Sequence, residues 1–246
     1  MTIVLDTETT GLHAGTDELL QISIIDDSGE TLIDRYIRPE SCTEWPEAEA
    51  VNGITPDMVR DCPHISDPDL HDRIQSVLYN ADTIIGYNTQ FDIGFLLAAG
   101  FAIPDVPQID VMRDFAEIYG QISEEHGGYK WQKLTTAAAY YGYEWDIDAH
   151  NSLGDCRATL YVYQQIQHHN LLRCCPFCGQ QAGYAAGVIR CVDCGLDVSA
   201  SYDHLDIHEL IQAYNRRAND LAHGAPDPEP EDWTRIDALI DKVLPF

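Results

Sequence analysis

Two acidic side chains lie near the beginning of the sequence, in the stretch Leu5-Asp6-Thr7-Glu8-Thr9-Thr10-Gly11-Leu12. The apolar run before them predicts a buried strand, and the two-residue period of a strand turns Asp6 and Glu8 to the same face. Two carboxylates so close together repel one another unless a cation lies between them. Hard divalent ions such as Mg²⁺ and Mn²⁺ prefer carboxylate oxygens as ligands. The pair therefore indicates a divalent-metal site, with an ordinary acidic surface strand as the alternative.

Two further segments carry a candidate ligand or a candidate base. Asp92 follows Asn88-Thr89-Gln90-Phe91 and is expected in the first turn of a helix, where an acidic residue can also serve only to stabilise the helix N-terminus. His150 precedes Asn151-Ser152-Leu153-Gly154-Asp155, which places the histidine on a loop and Asp155 one turn inside a helix. Histidine titrates near neutrality and so suits proton transfer. A capped helix with an incidental histidine is the alternative for this segment.

Four of the eight cysteines form two Cys-x-x-Cys pairs separated by 12 residues. This spacing is typical of a zinc ribbon, in which four thiolates close a tetrahedral, structural site. The predicted zinc ligands are Cys175, Cys178, Cys191 and Cys194, and unbound reduced thiols are the alternative. Cys174 does not fit the pair spacing, and the scattered Cys42, Cys62 and Cys156 are expected to be reduced thiols.

Hydrophobic patterning predicts the elements that position these residues. Short apolar runs at 3–5, 19–25 and 31–37 indicate a three-strand meander, and 83–87 indicates a buried strand. The proline-rich segment 39–68 is expected to be mostly loop with a short helix. The remaining pattern predicts helices at about 69–79, 91–99, 111–120, 132–141 and 152–169. A meander followed by alternating helix and strand predicts an α/β domain with a mixed sheet.

Composition changes divide the chain into three parts. Residues 1–170 form the predicted α/β domain, and 171–220 form the ribbon with one helix at 206–219. Residues 221–246 contain a Pro-rich linker and a short C-terminal helix. No apolar run is long enough to span a membrane and no secretory signal is present, so cytoplasmic residence is expected.

The net charge of -27 is unfavourable for binding nucleic acid, because phosphate contacts usually come from lysine and arginine. Residues 1–170 account for most of it, with 29 acidic and 8 basic residues. A solvated acidic surface that aids solubility is one interpretation. Adaptation to high salt and mimicry of DNA charge are the others. Bound divalent ions would supply positive charge to a phosphate and so weaken the objection.

Taken together, the three acidic segments resemble the DEDDh exonucleases, the DnaQ-like family with a ribonuclease-H-like fold. The segment from Val51 to Val59 is similar to the "His-Gly-Ile-Thr" segment of that family, with Asn52 in place of the histidine. We expect this substitution to lie outside the metal site. Leu134-Thr135-Thr136 is similar to the family's helix before the last motif. The resemblance covers roughly residues 1–170.

The resemblance implies a 3′→5′ exonuclease that uses two Mg²⁺ or Mn²⁺ ions and releases nucleoside 5′-monophosphates. Asp6 would bridge both ions. Glu8 and Asp155 would complete the ligands of the first ion, and Asp92 would hold the second ion through water. His150 would act as the base. The residues implied to contact substrate are Thr7, Thr9, Leu12, Asn88 and Phe91. The expected substrate is the 3′ end of single-stranded DNA. RNA, which would make the protein an exoribonuclease, and 3′-tailed duplex are the alternatives.

A second resemblance concerns the C-terminal part. Cys175-Pro176-Phe177-Cys178-Gly179 and the later Ile211-Gln212-Ala213-Tyr214-Asn215-Arg216-Arg217 are similar to the Lar-type restriction-alleviation family, with Tyr214 in place of its tryptophan. The small net charge of this module and its Arg216-Arg217 pair indicate a contact with nucleic acid or a partner, with a stabilising cap on the nuclease as the alternative. The final Val243-Leu244-Pro245-Phe246 resembles a sliding-clamp-binding tail without its leading glutamine, so a polymerase or clamp partner is a further prediction. The rival function is an inactive acidic DNA mimic or anti-restriction protein.

Overall fold

The computed structural model of the protein describes residues 1–123, 128–145 and 150–171, together with three short strands farther along the chain. The chain divides into two compact units. The first comprises Met1–Ala139 and Tyr143–Tyr163, and the second comprises Tyr140–Gly142 and Gln164–Phe246. Among the described residues, no helix is long and apolar enough to cross a membrane.

A five-stranded mixed sheet forms the centre of the first unit. Its strands run in the order β3-β2-β1-β4-β5; β1 and β2 pair antiparallel, as do β2 and β3, whereas β4 is parallel to both β1 and β5. The strands are β1 Thr2–Thr9, β2 Leu19–Asp26, β3 Thr31–Tyr36, β4 Thr83–Gly86 and β5 Gln108–Asp110. The predicted meander and mixed sheet are confirmed. The three-residue β5 was not predicted, because its single apolar residue gives no periodic pattern.

Helices flank this sheet, and several begin at prolines. Pro46, Pro56 and Pro68 each occupy the first helical turn, where the missing N–H has no intrahelical partner to lose. The segment predicted to be mostly loop with one short helix therefore contains two short helices. The helices are α1 Pro46–Asn52, α2 Pro56–Val59, α3 Pro68–Tyr79, α4 Thr89–Ala98, α5 Val111–Tyr119, α6 Leu134–Tyr141 and α7 Ser152–Leu171.

The two faces of β1 have different neighbours. Ile3 and Leu5 belong to the main apolar cluster, which also contains residues of α3 and α4. On the other face, next to Val4, the thiol of Cys156 in α7 lies 3.7 Å from the Val4 carbonyl oxygen and 3.4 Å from that of Ser23. Asp6 and Glu8 share the Val4 face by the two-residue period. The strand that carries the predicted metal ligands is thus covered on both sides.

A smaller apolar cluster fixes α1 and α2 against β2. It consists of Leu20, Trp45, Ile54 and Val59, all buried. The Trp45 indole N–H donates to the Ile54 carbonyl oxygen at 2.6 Å, so the polar atom of this buried ring has a partner. This cluster determines where the end of α1 lies.

The second unit contains a three-stranded antiparallel sheet in the order β6-β7-β8. These strands are β6 Gly183–Ala185, β7 Val188–Arg190 and β8 Asp197–Ser199. The predicted zinc ligands Cys175, Cys178, Cys191 and Cys194 lie outside the described residues. So do the predicted helix at 206–219 and the C-terminal part at 221–246.

Candidate active site

Three of the predicted ligands meet at one place in the first unit. One ligand oxygen from each of Asp6, Glu8 and Asp155 lies within 4.8 Å of the other two. Asp6 and Glu8 come from the central strand, where they pair with Ser23 and Gln21 of β2. Asp155 comes from the first turns of α7. Residues far apart in sequence therefore form a compact carboxylate cluster of the kind that holds a divalent cation.

Polar residues of β2 and β3 hold the start of α7 over this face of the sheet. The Ser152 hydroxyl lies 2.6 Å from the Ser23 hydroxyl, and the Ser152 N–H donates to Gln21 Oε1 at 3.4 Å. Asp34 Oδ1 accepts from Ser23 Oγ at 3.1 Å and from Gln21 Nε2 at 3.0 Å. Because Ser23 donates its proton to Asp34, Ser152 is the donor to Ser23. The two residues that pair with Asp6 and Glu8 thus also bring Asp155 to them.

Asp92 reaches the site from α4 and is held by Thr7, which lies between Asp6 and Glu8 on β1. Its Oδ1 accepts two hydrogen bonds from Thr7, at 3.0 Å from the backbone N–H and 2.7 Å from the hydroxyl. Its Oδ2 is buried and has no hydrogen-bond partner among the described residues. A buried carboxylate oxygen without a donor is costly unless a cation compensates for the lost water. Asp92 is therefore suited to a metal ion on its Oδ2 side.

A tight strand-to-helix turn places Asp92. Asn88 adopts the left-handed conformation at φ 71°, and its N–H donates to Asp110 Oδ1 at 3.0 Å. The Thr89 hydroxyl donates to the Ile109 carbonyl oxygen at 2.7 Å. A Cβ at position 86 would lie 3.0 Å from the Thr89 hydroxyl oxygen and 3.2 Å from its Cα, so Gly86 allows the close approach.

The electrostatics of the cluster favour either protons or a cation. Burial, followed by repulsion from Asp92, Asp155 and Glu8, raises the pKa of Asp6 well above its usual value. Burial and the Asp155 charge raise the pKa of Glu8 to about 8. Burial raises the pKa of Asp92 to about 7, although the Thr7 hydrogen bonds oppose it. Burial likewise raises the pKa of Asp155 to about 6. A divalent ion would keep all four groups ionised near neutral pH.

His150 lies at the solvent side of the cluster. Its backbone is left-handed, at φ 67°, and its N–H donates to Asp155 Oδ1 at 3.3 Å. This hydrogen bond and the nearby imidazole charge both oppose the effect of burial on the Asp155 pKa. His150 itself is exposed. The structure thus brings the predicted base beside a predicted ligand and leaves it accessible to water.

Asn52 lies beside this site, at the end of α1 and close to Glu8, and its place outside the metal site itself stays a prediction. The Asn52 side chain hydrogen-bonds Glu8 and thereby lowers the Glu8 pKa relative to burial alone. Its amide nitrogen lies 3.3 Å from the Thr9 carbonyl oxygen, and its Oδ1 accepts from the Ile54 N–H at 3.0 Å. Asparagine and histidine can both donate a hydrogen bond to a carboxylate, and this common property could have indicated a position near Glu8 from the sequence.

The residues predicted to contact substrate have different environments. Thr7 is buried against Asp92, and the Thr9 hydroxyl donates to the Gly11 carbonyl oxygen at 2.5 Å. Leu12 is 78% exposed. Phe91 packs partly against the main core, with its ring centroid 4.9 Å from that of Phe95. Their contacts with substrate, and that of Asn88, remain predictions.

Comparison with known proteins identifies relatives of this domain. Residues 3–163 match the sequence model of the RNase_T exonuclease family. The chain is 33% identical over 169 residues to the uncharacterized exonuclease CP81 of Escherichia phage 186, covering 64% of this chain and 84% of that protein. It is 28% identical over 173 residues to the PolC-type DNA polymerase III of Bacillus subtilis. That match covers 65% of this chain but only 11% of the polymerase.

Solved structures share the same fold. Exonuclease X in complex with 5′-overhanging duplex DNA matches with a TM-score of 0.50 and 22% identity, over 68% of this chain and 91% of that one. E. coli exonuclease I in complex with a dA16 oligonucleotide matches with a TM-score of 0.52 and 20% identity, over 69% of this chain and 44% of that one. The sheet order and the carboxylate cluster agree with the family match, which covers well over half of the sequence. The chain belongs to the RNase_T family of exonucleases, which is DnaQ-like and has a ribonuclease-H-like fold.

Proposed function

We propose that the protein is a two-metal 3′→5′ exonuclease that hydrolyses single-stranded DNA and releases nucleoside 5′-monophosphates. The convergence of Asp6, Glu8 and Asp155 within 4.8 Å carries this proposal. Asp92 adds a fourth carboxylate, whose buried Oδ2 has no hydrogen-bond partner within the part of the chain that the structure describes and which a cation would keep ionised. A catalytically idle scaffold would gain nothing from four carboxylates that repel one another.

The donor set fits Mg²⁺ or Mn²⁺. Asp6, Glu8 and Asp155 would hold one ion, and Asp6 with Asp92 would hold the other, all through carboxylate oxygens. Bound divalent ions would lower the pKa of the attacking water and stabilise charge on the phosphate and the departing 3′ oxygen. The chain supports this arrangement through Thr7, which orients Asp92, and through Asn52, which donates to Glu8.

His150 is proposed to accept the proton of the attacking water. Its exposed side chain can approach a phosphate and leave again, while its backbone N–H remains bonded to Asp155. As the new oxygen–phosphorus bond forms, the water proton passes to the imidazole, and the leaving 3′ oxygen is released from phosphorus. Histidine suits this role because it can gain and lose a proton near neutral pH.

The substrate class is supported by the fold relatives. The solved structures of exonuclease X and exonuclease I contain DNA. Thr9, Leu12, Asn88 and Phe91 are proposed to contact the terminal nucleotides, with Leu12 as the most exposed of the apolar members. A sliding clamp or polymerase as a protein partner remains a proposal from the C-terminal tail alone.

Product analysis with two labels tests this function. Single-stranded DNA and RNA oligonucleotides of equal sequence, labelled at either end, are incubated with the full-length protein and Mg²⁺ or Mn²⁺. We expect the 3′ label to appear first as a mononucleotide and the 5′-labelled strand to shorten stepwise, faster for DNA. Release of a 5′-labelled mononucleotide from intact strands would reverse the proposed polarity. Faster RNA degradation would reassign the substrate.

The second metal proposal concerns the C-terminal cysteines. Cys175, Cys178, Cys191 and Cys194 are proposed to bind one structural zinc ion, since thiolates select zinc while carboxylates select Mg²⁺ or Mn²⁺. Elemental analysis should find one tightly held zinc per chain. A truncation after residue 172 should lose the zinc but retain mononucleotide release from short oligonucleotides.

A further inference from the structure

An aromatic and basic segment lies between the motifs of the active site. The whole chain has three lysines, and two of them, Lys130 and Lys133, fall within four residues. Trp131 lies between them and Tyr129 precedes them. No acidic residue occurs from residue 126 to residue 143, although the chain contains 41. The segment Tyr129–Lys133, called here the YKWQK segment, is thus a local positive region on an acidic protein.

The side chains of this segment are presented to solvent. Trp131 is 60% exposed and Tyr129 is 44% exposed, and both lysines are exposed. Within the described residues, neither lysine forms an ion pair. Exposed aromatic rings beside lysines are the combination used by proteins that bind single strands, where rings stack on bases and cations contact phosphates.

Hydrogen bonds give the segment a defined shape. The Lys130 N–H donates to the Gln121 carbonyl oxygen at 2.7 Å, and Ile122 and Tyr129 form an antiparallel bridge. The Gln132 side-chain amide donates to Gln121 Oε1 at 3.1 Å and to the Lys130 carbonyl oxygen at 3.0 Å. The Lys133 carbonyl oxygen accepts the first N–H bonds of α6. The rings and lysines are therefore held in place before any ligand binds, which lowers the ordering cost of binding.

One hydrogen bond connects the segment to the active site. The Tyr87 hydroxyl donates to the Gln132 carbonyl oxygen at 2.9 Å. Tyr87 directly precedes Asn88, the N-cap residue of α4, and α4 carries Asp92. The YKWQK segment is thus attached to the same strand-to-helix turn that places a predicted metal ligand.

We propose that the YKWQK segment binds the single strand on the 5′ side of the bond that is cut. Trp131 stacks on a base, and Lys130 and Lys133 contact phosphates. This inference rests on the proposed exonuclease function. Metal ions bound at the cluster would neutralise the phosphate there, but the remaining phosphates of a long strand would face an acidic protein. The two lysines supply the positive charge that those further phosphates need.

The segment should therefore matter for long strands and not for very short ones. A dinucleotide reaches only the carboxylate cluster, whereas a 20-nucleotide strand also reaches the segment. Loss of one stacked base weakens single-strand binding by about 5- to 150-fold. Removal of two phosphate contacts should lower the slope of log affinity against log salt by about 1.4.

Two variants of the full-length protein test the proposal, with two matched controls. Trp131→Ala and the double variant Lys130→Gln/Lys133→Gln are compared with Tyr79→Ala and Arg73→Gln, which remove an exposed ring and an exposed charge from α3. The end of α3 lies next to Met1, at the opposite end of β1 from Glu8. Trp131→Phe retains a stacking ring and serves as the conservative variant.

KM and kcat are measured on 20-nucleotide and on dinucleotide DNA. The affinity for labelled dT20 is measured separately, with each variant combined with Asp6→Asn so that the strand is not degraded. We expect KM for the long strand to rise about tenfold or more in Trp131→Ala, to recover in Trp131→Phe, and to stay unchanged in the controls. Kinetics on the dinucleotide should not change. Equal KM values for all variants on the long strand, in an active enzyme, would overturn the segment assignment alone. Wild-type protein that binds dT20 through the segment but releases no nucleotide would overturn the proposed function alone.

Discussion

Glu18 and the carboxylate cluster show two ways in which this protein holds an acidic side chain. The Glu18 carboxylate accepts backbone N–H bonds from Glu40, Ser41 and Cys42, the last at 2.7 Å. Partial burial alone would raise the pKa of Glu18, but these donors lower it below its usual value. In the cluster, burial and mutual repulsion raise the pKa of every member.

The difference lies in what satisfies the negative charge. Glu18 has protein donors for it, so it joins the start of β2 to the segment at 40–42 without any ion. Asp6 has three acidic neighbours, and Asp92 retains one oxygen with no donor among the described residues. A carboxylate with donors stabilises the fold in its ionised form, whereas a buried carboxylate among carboxylates binds either a proton or a cation. The first contributes to stability, and the second is the group for which a catalytic role is proposed.

Asp6→Asn should give the largest effect and separate the two roles most clearly. It removes the carboxylate proposed to bridge both ions, and loss of several kcal/mol of charge stabilisation corresponds to about 10⁴-fold or more in rate. Because one repulsive charge disappears, the metal-free variant should melt at the same or a higher temperature. Mononucleotide release and thermal melting in EDTA measure both. Turnover above about 1% of wild type with Mg²⁺ would contradict the bridging role.

His150→Ala should reduce the rate by about 10²- to 10⁴-fold, the usual effect of losing a general base. Its backbone N–H still reaches Asp155, so Mn²⁺ affinity should be unchanged. The test compares the Mn²⁺ affinity of His150→Ala, from calorimetric titration, with its rate of hydrolysis. If affinity and rate fall together, His150 is a metal ligand and the proposed division between base and ligands is wrong.

Glu18→Gln should show the opposite pattern to Asp6→Asn. The neutral amide accepts the three backbone N–H bonds less strongly, and the expected loss of folding free energy is about 1 kcal/mol, limited by solvent exposure of Glu18. Hydrolysis by the folded variant should remain close to wild type. Urea unfolding in the presence of EDTA measures the change. If the Glu18→Gln protein is stable but inactive, Glu18 contributes to activity and its assignment to fold stability is wrong.

The two kinds of carboxylate should also give opposite pH dependence to the metal-free protein. Raised pKa values mean that the folded cluster binds protons more tightly than the unfolded chain, so its contribution is lost as pH rises through about 6 to 8. The lowered pKa of Glu18 gives a contribution that is lost only below its usual pKa of 4.5. Melting temperature in EDTA should therefore fall between pH 5 and pH 8.5, and Mn²⁺ should restore it. A flat profile would show that the cluster is not electrostatically strained.

Asn52→Ala should lower activity less than either Asp6→Asn or His150→Ala. Without its amide, the Glu8 carboxylate loses a donor and its pKa should rise further, so the rate should fall about tenfold with a shift of the pH profile to higher pH. Asn52→His, which restores a donor, should recover most of the loss. An unchanged pH profile in Asn52→Ala would show that the Asn52 side chain does not affect Glu8 and only hydrogen-bonds the backbone of Thr9 and Ile54.

The sequence predicted the ligands better than the residues that hold them. Asp6 and Glu8 were predictable because strand period and charge repulsion act locally, and the meander followed from alternating apolar runs. The Ser23–Ser152 contact could not be predicted, because it depends on the register between β1 and β2 and on the position of α7. Ser152 in α7 is 129 residues from Ser23. The closeness of Asn52 to Glu8 could not be predicted for a related reason, since the small cluster around Trp45 determines where α1 ends.

The contacts that build the cluster join parts of the chain that are synthesised far apart in time. Thr7 and Asp92 are 85 residues apart, Ser23 and Ser152 are 129 apart, and Cys156 lies 152 residues beyond Val4. Contacts of such large separation form late, because loop closure precedes any gain from them. No partly folded or partly synthesised chain that lacks docked α7 can therefore assemble the complete metal site. The carboxylate cluster is therefore complete only after α7 has docked onto the sheet, late in the folding of the domain.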